Sequence, residues 1–288
     1  METTSTIHCK NILDTDVPLV VTYCNKYPTE CSVNTGKFIG TLLNNDWEYV
    51  VLGTGEIWDG FMTKITACRN FLSSLDSKKV VVIADAHDVF CLRNSCTFIS
   101  MFHRYKCNMI VSTEHFAEGS TMHYVNKNYG KVTWLDKYFK YHNINHSRHA
   151  KKFVNAGLVC GYFDTLLHYL NWIIDNKYTD DQKGLGAYMN AYPEHIYADF
   201  SDELLHTTCS LVNAGCYSYG QLSDSPSLNE LLGQKSFFLH IPGLSGSKGQ
   251  EFLYNSIYDL LKFFNMKELQ LLYPSYGLNS LTPQKYVE

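Results

Sequence analysis

What this chain lacks narrows its class before any motif is considered. No stretch approaches the about 20 consecutive apolar residues that a membrane-spanning helix needs. The opening residues Met1-Glu2-Thr3-Thr4-Ser5-Thr6 are polar, with no basic region leading into an apolar one, so the pattern of a secretory leader is missing. The 10 cysteines are scattered without any CxxC pair, which argues against zinc binding and for reduced, packed thiols over a disulfide framework. The Asn145-His146-Ser147 sequon then carries no weight. Positive charge is not in surplus either: a formal net charge of -4 and 18% charged residues argue against a general nucleic-acid-binding surface. No Pro/Gly/Ser-rich linker, low-complexity tract or internal repeat divides the chain. The expectation is a single domain over residues 1–288, with 1–16 as a flexible or edge segment and 265–288 as a C-terminal extension. It is expected to be soluble and cytoplasmic, with no membrane span.

What is present is an alternation of short apolar runs and helical spacing. Leu19-Val20-Val21-Thr22-Tyr23, Tyr49-Val50-Val51-Leu52, Val80-Val81-Val82-Ile83-Ala84 and Met109-Ile110-Val111-Ser112 read as strands, the second running into the Gly53-Thr54-Gly55 turn. Phe61, Ile65, Cys68, Phe71 and Leu72 follow helical spacing, and 97–105 reads as a further helix. Residues 153–161 form another buried strand, 164–175 a helix, and 236–240 a last strand before an amphipathic closing helix marked by Phe252, Ile257, Leu260 and Phe264. Strand and helix alternating in this way predict an α/β fold, a Rossmann-like, mostly parallel sheet flanked by helices. Twenty-one tyrosines suit a carbohydrate-handling surface and a large aromatic core equally well.

The most informative junction is Asp85-Ala86-His87-Asp88, directly after the run Val80–Ala84. Ligands of open sheets bind beyond the carboxyl ends of the strands, and two carboxylates placed there can hold a hard divalent cation that in turn holds a diphosphate. The same residues also fit a turn cap and a simple ion pair with a nearby Lys or Arg. Asp180-Asp181-Gln182 poses a similar choice between a chemical role and the first turn of a helix, where carboxylates are favoured by the helix dipole. Between 121 and 152, Lys127, Lys131, Lys137, Lys140, Arg148, Lys151 and Lys152 alternate with Trp134, Tyr138, Phe139 and Tyr141. That stretch reads either as an acceptor-binding flap or as an amphipathic helix lying on the sheet.

Taken in order, Gly55-Glu56-Ile57-Trp58, Lys64, Asp85-x-x-Asp88, Ser112-Thr113-Glu114, Asn155-Ala156-Gly157, Asp180-Asp181-Gln182 and His240 resemble the glycosyltransferase domain of lysyl hydroxylases and the related collagen-type glycosyltransferases of GT-A fold. The likeness runs over roughly 18–250 and lies in the ordered series more than in any one motif. It implies Asp85, Asp88 and His240 as ligands of a Mn²⁺ ion that holds the diphosphate of a UDP-sugar, and this donor set of oxygen and imidazole suits Mn²⁺ better than Mg²⁺. It further implies Thr22 and Tyr23 at the uridine, His87 against the uracil, and Lys64 and Lys248 toward phosphate oxygens. Asp180 and Asp181, with Trp58 and Asn155, fall near the donor sugar and acceptor.

Two departures stand out: only two Asp follow Thr179 where the family has a longer acidic run, and Ile241-Pro242-Gly243 replaces the family's Gly-Asn-Gly. The chain is also too short to carry a hydroxylase domain after this region, which makes a stand-alone transferase the expectation. The activity so implied is transfer of a hexose, glucose or galactose, from a UDP-sugar to a hydroxyl acceptor on a protein or glycan, with retention of configuration and a hydroxylysine-linked or collagen-like acceptor. The alternatives are a non-catalytic nucleotide-sugar-binding module and a metal-dependent phosphohydrolase.

Overall fold

A computed structural model describes residues 6–8, 17–25, 33–75, 79–115, 133–144, 151–207 and 236–241. These residues form a mixed α/β fold built on one ten-stranded sheet with helices on both faces. In chain order the strands are β1 (Thr6–His8), β2 (Leu19–Tyr23), β3 (Glu48–Leu52), β4 (Val80–Asp85), β5 (Val89–Cys91), β6 (Met109–His115), β7 (Lys151–Tyr162), β8 (Ile196–Asp199), β9 (Leu205–Thr207) and β10 (Phe238–His240). The α-helices are α1 (Val33–Asn44), α2 (Phe61–Ser73), α3 (Phe98–Arg104), α4 (Thr133–Tyr141), α5 (Phe163–Asp175) and α6 (Asp181–Ala191). The sheet order is β1-β3-β2-β4-β7-β6-β9-β10-β5, with β8 alongside the first half of β6.

Most pairings are parallel, as the alternating sequence predicts. β2 is parallel to β3 and β4, and β6 is parallel to β8 and β9, with β10 continuing beside β9. β7 breaks the pattern by running antiparallel between β4 and β6. β1 at one edge and β5 at the other are antiparallel too.

Alternation along each strand divides the core between the two faces, because successive side chains of a strand point to opposite sides. Leu19, Val21, Val81 and Ile83 meet Ile65, Cys68 and Leu72 of α2 together with Leu166 and Leu170 of α5. On the other face Val20, Val80, Val82 and Ala84 meet Phe38 and Leu42 of α1 and Phe98 and Phe102 of α3. Helix α4 is the amphipathic alternative of the two readings: Tyr138 and Phe139 are buried while Lys137, Lys140 and Tyr141 are exposed. The rest of the basic stretch 121–152 includes residues outside those described, as do the expected closing helix and the extension 265–288.

Helix α1 and strands β1, β5, β8 and β9 carry little sequence signal. The sequence of α1, Val33-Asn34-Thr35-Gly36-Lys37-Phe38-Ile39-Gly40-Thr41-Leu42-Leu43-Asn44, contains two glycines and two threonines, which weaken a helix. It forms because Phe38 and Leu42 are fully buried. Its Thr41 hydroxyl accepts the Cys91 amide at 2.9 Å, fastening β5 to the helix. Asp199, at the end of β8, accepts the amides of Leu204 and Leu205 at 2.8 and 2.9 Å and so shapes the turn into β9. Burial pushes its carboxyl up, and those amides oppose the shift.

Only three residues separate β4 from β5, yet the two strands lie five places apart in the sheet order. Four residue steps from Asp85 to Val89 reach at most about 14 Å, whereas five flat spacings of about 4.8 Å would require about 24 Å. The sheet therefore curls until the end of β10 comes back to the end of β4. The ladder closes there, with Ile241 donating its amide to the Asp88 carbonyl at 2.8 Å and Leu92 donating to Phe237 at 2.8 Å.

Trp47 holds the closure from below. Its ring packs edge-on against Phe98 and Phe238, with centroids 5.0 and 4.7 Å away, and its Nε1 donates to the Arg93 carbonyl at 2.8 Å. Trp47→Ala is expected to cost about 3–5 kcal/mol through the cavity it leaves. The melting temperature should fall by on the order of 10 °C for a domain of this size, measured by calorimetry, with faster hydrogen exchange at β5 and β10 than at β2.

Candidate metal centre

The curl brings three sequence-distant side chains to one point. Asp85 ends β4, Asp88 lies in the short connection to β5, and His240 ends β10 opposite Val89. His240 Nε2 is 3.3 Å from Asp88 Oδ1 and 3.8 Å from Asp85 Oδ2. One ligand atom from each residue lies within 4.8 Å of the others, the single such convergence of His, Cys, Asp and Glu among the described residues. Two carboxylates and an imidazole at that spacing can hold one divalent cation of the harder, nitrogen-tolerant kind. The cradle is tight, since a Cβ on Gly157 of β7 would fall on the His240 ring and 2.7 Å from Asp85 Oδ2. A glycine in the interior of a strand commonly marks such a close approach.

Beside the cluster sits a lysine. Helix α2 turns Lys64 inward with Ile65, Cys68 and Leu72. Its ammonium lies 2.8 Å from Asp85 Oδ1 and 2.7 Å from Asp181 Oδ2. Burial by itself would lower this ammonium's pKa, but Asp181 and then Asp85 hold it well above the usual lysine value. Burial likewise would raise the Asp85 carboxyl, and Lys64 followed by His240 holds it below the ordinary range. Both groups are therefore charged at neutral pH. Cys68, one turn further along α2, is pushed up to about 12 by burial and stays a thiol. Side chains of Lys64 and Asp181 are both under a tenth exposed, and breaking a pair buried to that degree costs about 3–5 kcal/mol because it strands a charge.

The acidic segment divides its work between two roles. Asp180 is the N-cap of α6, its Oδ1 accepting the Lys183 amide at 2.8 Å. Asp181 turns inward to Lys64, and Gln182 Oε1 accepts the Ala156 amide at 3.2 Å, tying the first turn of α6 to β7 beside Gly157. Asn155 is buried, and its Oδ1 accepts the Gly157 amide at 2.8 Å, which sets the backbone of the cradle.

The other expected residues spread around this centre. Thr22 is fully buried and donates its hydroxyl to the Ala84 carbonyl at 2.8 Å, so it ties β2 to β4. Tyr23, at the end of β2, donates to Glu56 Oε2 at 3.2 Å and packs on Trp58 with ring centroids 5.6 Å apart. Gly53, at φ 83, lets the turn pass under the Tyr23 ring, where a Cβ would collide. Trp58, 44% exposed, extends through Phe61, 52% exposed, into an aromatic shelf. His87 is exposed in the connection between the two Asp ligands. Ser112 and Thr113 are buried and spend their hydroxyls on the Asn155 and Asp199 carbonyls. Lys248 lies outside the described residues.

Gly157 and Gln182 belong to this site, and the sequence places both inside the ordered motifs without giving either a role. The available signal was a glycine inside an otherwise apolar strand. Gly157→Ala should push His240 and Asp85 apart and lower Mn²⁺ affinity by on the order of tenfold or more, since metal sites tolerate ligand errors of only a few tenths of an ångström. The added methyl overlaps the buried His240 ring, so the melting temperature should also fall, by the equivalent of the about 1–3 kcal/mol that overpacking costs, while far-ultraviolet circular dichroism should change little. Manganese titration monitored by paramagnetic resonance checks the first expectation, and an unchanged affinity contradicts it.

No protein-family model matches the chain, and no curated protein matches it. Among solved structures, a glycosyltransferase involved in the glycosylation of the major capsid of PBCV-1 superposes with a TM-score of 0.44 at 9% identity, over 82% of this chain and 98% of that one. No helix among the described residues is long and apolar enough to cross a membrane.

Proposed function

We propose that this chain is a Mn²⁺-dependent, GT-A-type glycosyltransferase that moves a hexose, glucose or galactose, from a UDP-sugar to a hydroxyl acceptor. The observation that carries the reading is the convergence of Asp85, Asp88 and His240 within 4.8 Å at the mouth of the curled sheet. Asp85, Asp88 and His240 would hold the cation. A bound divalent cation supplies neutralisation of the diphosphate as the glycosidic bond breaks. The resemblance of the ordered series of residues to the lysyl-hydroxylase glycosyltransferase domain is what supports the donor class, retention of configuration and a hydroxylysine-linked or collagen-like acceptor.

The chain's own residues have distinct tasks in this reading. Asp85 and Asp88 orient the diphosphate side of the donor, with His240 completing the grip from β10. Exposed His87, between the two carboxylates, would stack on the uracil ring, and Tyr23 with Trp58 would form a wall for the nucleoside or sugar. The buried floor of Cys68 and Tyr169 keeps water from the inner side of the cluster. Asp180, although it caps α6, is the more accessible carboxylate for the donor sugar or acceptor, because its side chain is a third exposed whereas Asp181 is committed to Lys64. Retention by front-side attack requires no separate strong base.

The non-catalytic binding module draws on one observation: both members of the shortened acidic segment already have structural partners, Lys183 and Lys64. Turnover separates the two readings. Asp85→Asn and Asp88→Asn should each abolish Mn²⁺-dependent UDP binding by calorimetry while the fold survives, as should His240→Ala. Retention of Mn²⁺-dependent UDP affinity in all three variants would falsify the site.

Asp180→Asn preserves capping, since Asn caps a helix as well as Asp does. Transfer should nevertheless fall by on the order of a hundredfold with UDP affinity nearly unchanged, the pattern of a group used only in the transition state. A wild-type protein that binds UDP-sugars but neither transfers nor hydrolyses any of them belongs to the binding-module class. UMP and sugar 1-phosphate as the main products, with no acceptor dependence, point to a phosphohydrolase, which cleaves the P–O bond and leaves the anomeric C–O bond intact.

A further inference from the structure

Lys64 is an unexpected neighbour for a cation site. A positive charge 2.8 Å from a ligand carboxylate repels an incoming divalent cation. The structure places a third carboxylate, Asp181, 2.7 Å from the same ammonium and buries the pair almost completely. The three elements involved, β4, α2 and α6, are each anchored elsewhere in the same core. Three carboxylates against one ammonium leave two negative charges in the cluster, equal and opposite to one divalent cation.

Resting on the reading of Asp85, Asp88 and His240 as cation ligands, we propose that the Lys64–Asp181 pair is a positioning and charge-setting device for that site. Lys64 holds Asp85 by Oδ1, which leaves Oδ2, the oxygen nearer His240, to face the cation. Asp181 cancels the charge that Lys64 brings, so the ligand pair keeps its full attraction for a divalent ion. Asp181 thus acts on the cation from a distance, through Lys64, and its place in the acidic segment serves the metal before it serves the sugar.

The arrangement makes affinity follow net charge rather than contact. Lys64 contributes position as well as repulsion, and the double change separates the two. The test uses the full chain and Mn²⁺ alone, with affinity read from the paramagnetic resonance signal of free Mn²⁺ and from calorimetry. Asp181→Asn should weaken Mn²⁺ binding by on the order of tenfold or more, because one uncancelled positive charge then faces the ion across a partly buried site. Asp181→Glu, which keeps the charge, should hold closer to the wild-type affinity than Asp181→Asn does. Lys64→Met should bind Mn²⁺ at least as tightly as wild type. The double variant Lys64→Met/Asp181→Asn, with two negative charges again, should recover the wild-type affinity to within about threefold, because the two opposite charge changes offset each other.

A merely structural pair predicts the reverse for the double variant, which would bind as weakly as the worse single one. That outcome, or an Asp181→Asn affinity equal to wild type, overturns the proposal while leaving the ligand assignment intact. If Asp181→Asn fails to fold, comparing Lys64→Met with the double variant isolates the same charge. Loss of Asp181 must then weaken Mn²⁺ binding by a similar factor, and equal affinities overturn the proposal. Absence of Mn²⁺ binding in the folded wild-type chain overturns the ligand assignment itself, and the proposal with it.

Discussion

Three residues between β4 and β5 impose the constraint on which the site depends. Because Ala86–Asp88 must join strands five places apart in the sheet order, the sheet cannot lie flat. Its curl carries β10 back to β4 and delivers His240 to two carboxylates more than 150 residues earlier in the chain. The apolar packing of Trp47 with Phe98, Phe237 and Phe238 holds that closure from the side opposite α2. The geometry at the mouth therefore rests on aromatic packing beneath it.

Around the three candidate ligands the protein has assembled a buried charge network instead of an apolar lining. Burying Lys64 and Asp181 separately would be prohibitive, and burying them together is tolerable because the two charges meet at 2.7 Å, with the partly exposed Asp85 on the same ammonium at 2.8 Å. The network also links three elements, since α2, β4 and the first turn of α6 meet through a single ammonium. Asn155 and Gln182 extend the order into β7 through hydrogen bonds at the Gly157 cradle. Such a network favours one arrangement of the site over near alternatives, because any displacement strands a charge.

Much of the fold was legible in the sequence where burial leaves a periodic signature. The strands beginning at Leu19, Glu48, Val80 and Met109 and the helices beginning at Phe61 and Phe163 lie within two or three residues of their expected positions. Elements of three residues, such as β5 and β9, have too few positions to show a period. Helix α1 was hidden by its glycines and threonines and forms through contacts made by Phe38 and Leu42. The antiparallel course of β7 was equally invisible, because a strand buried on both faces reads the same in either direction.

At the site the division is similar. The placing of Asp85 at a strand end and of Asp88 just beyond it follows from local sequence alone, as does the capping of α6 by Asp180, because each depends on residues within a few positions. The pairing of Lys64 with Asp181, the need for glycine at 157 and the convergence of His240 on both carboxylates arise only from tertiary structure. Those relations join residues far apart in the chain, and no local pattern encodes a distance that is set by the curl of a sheet.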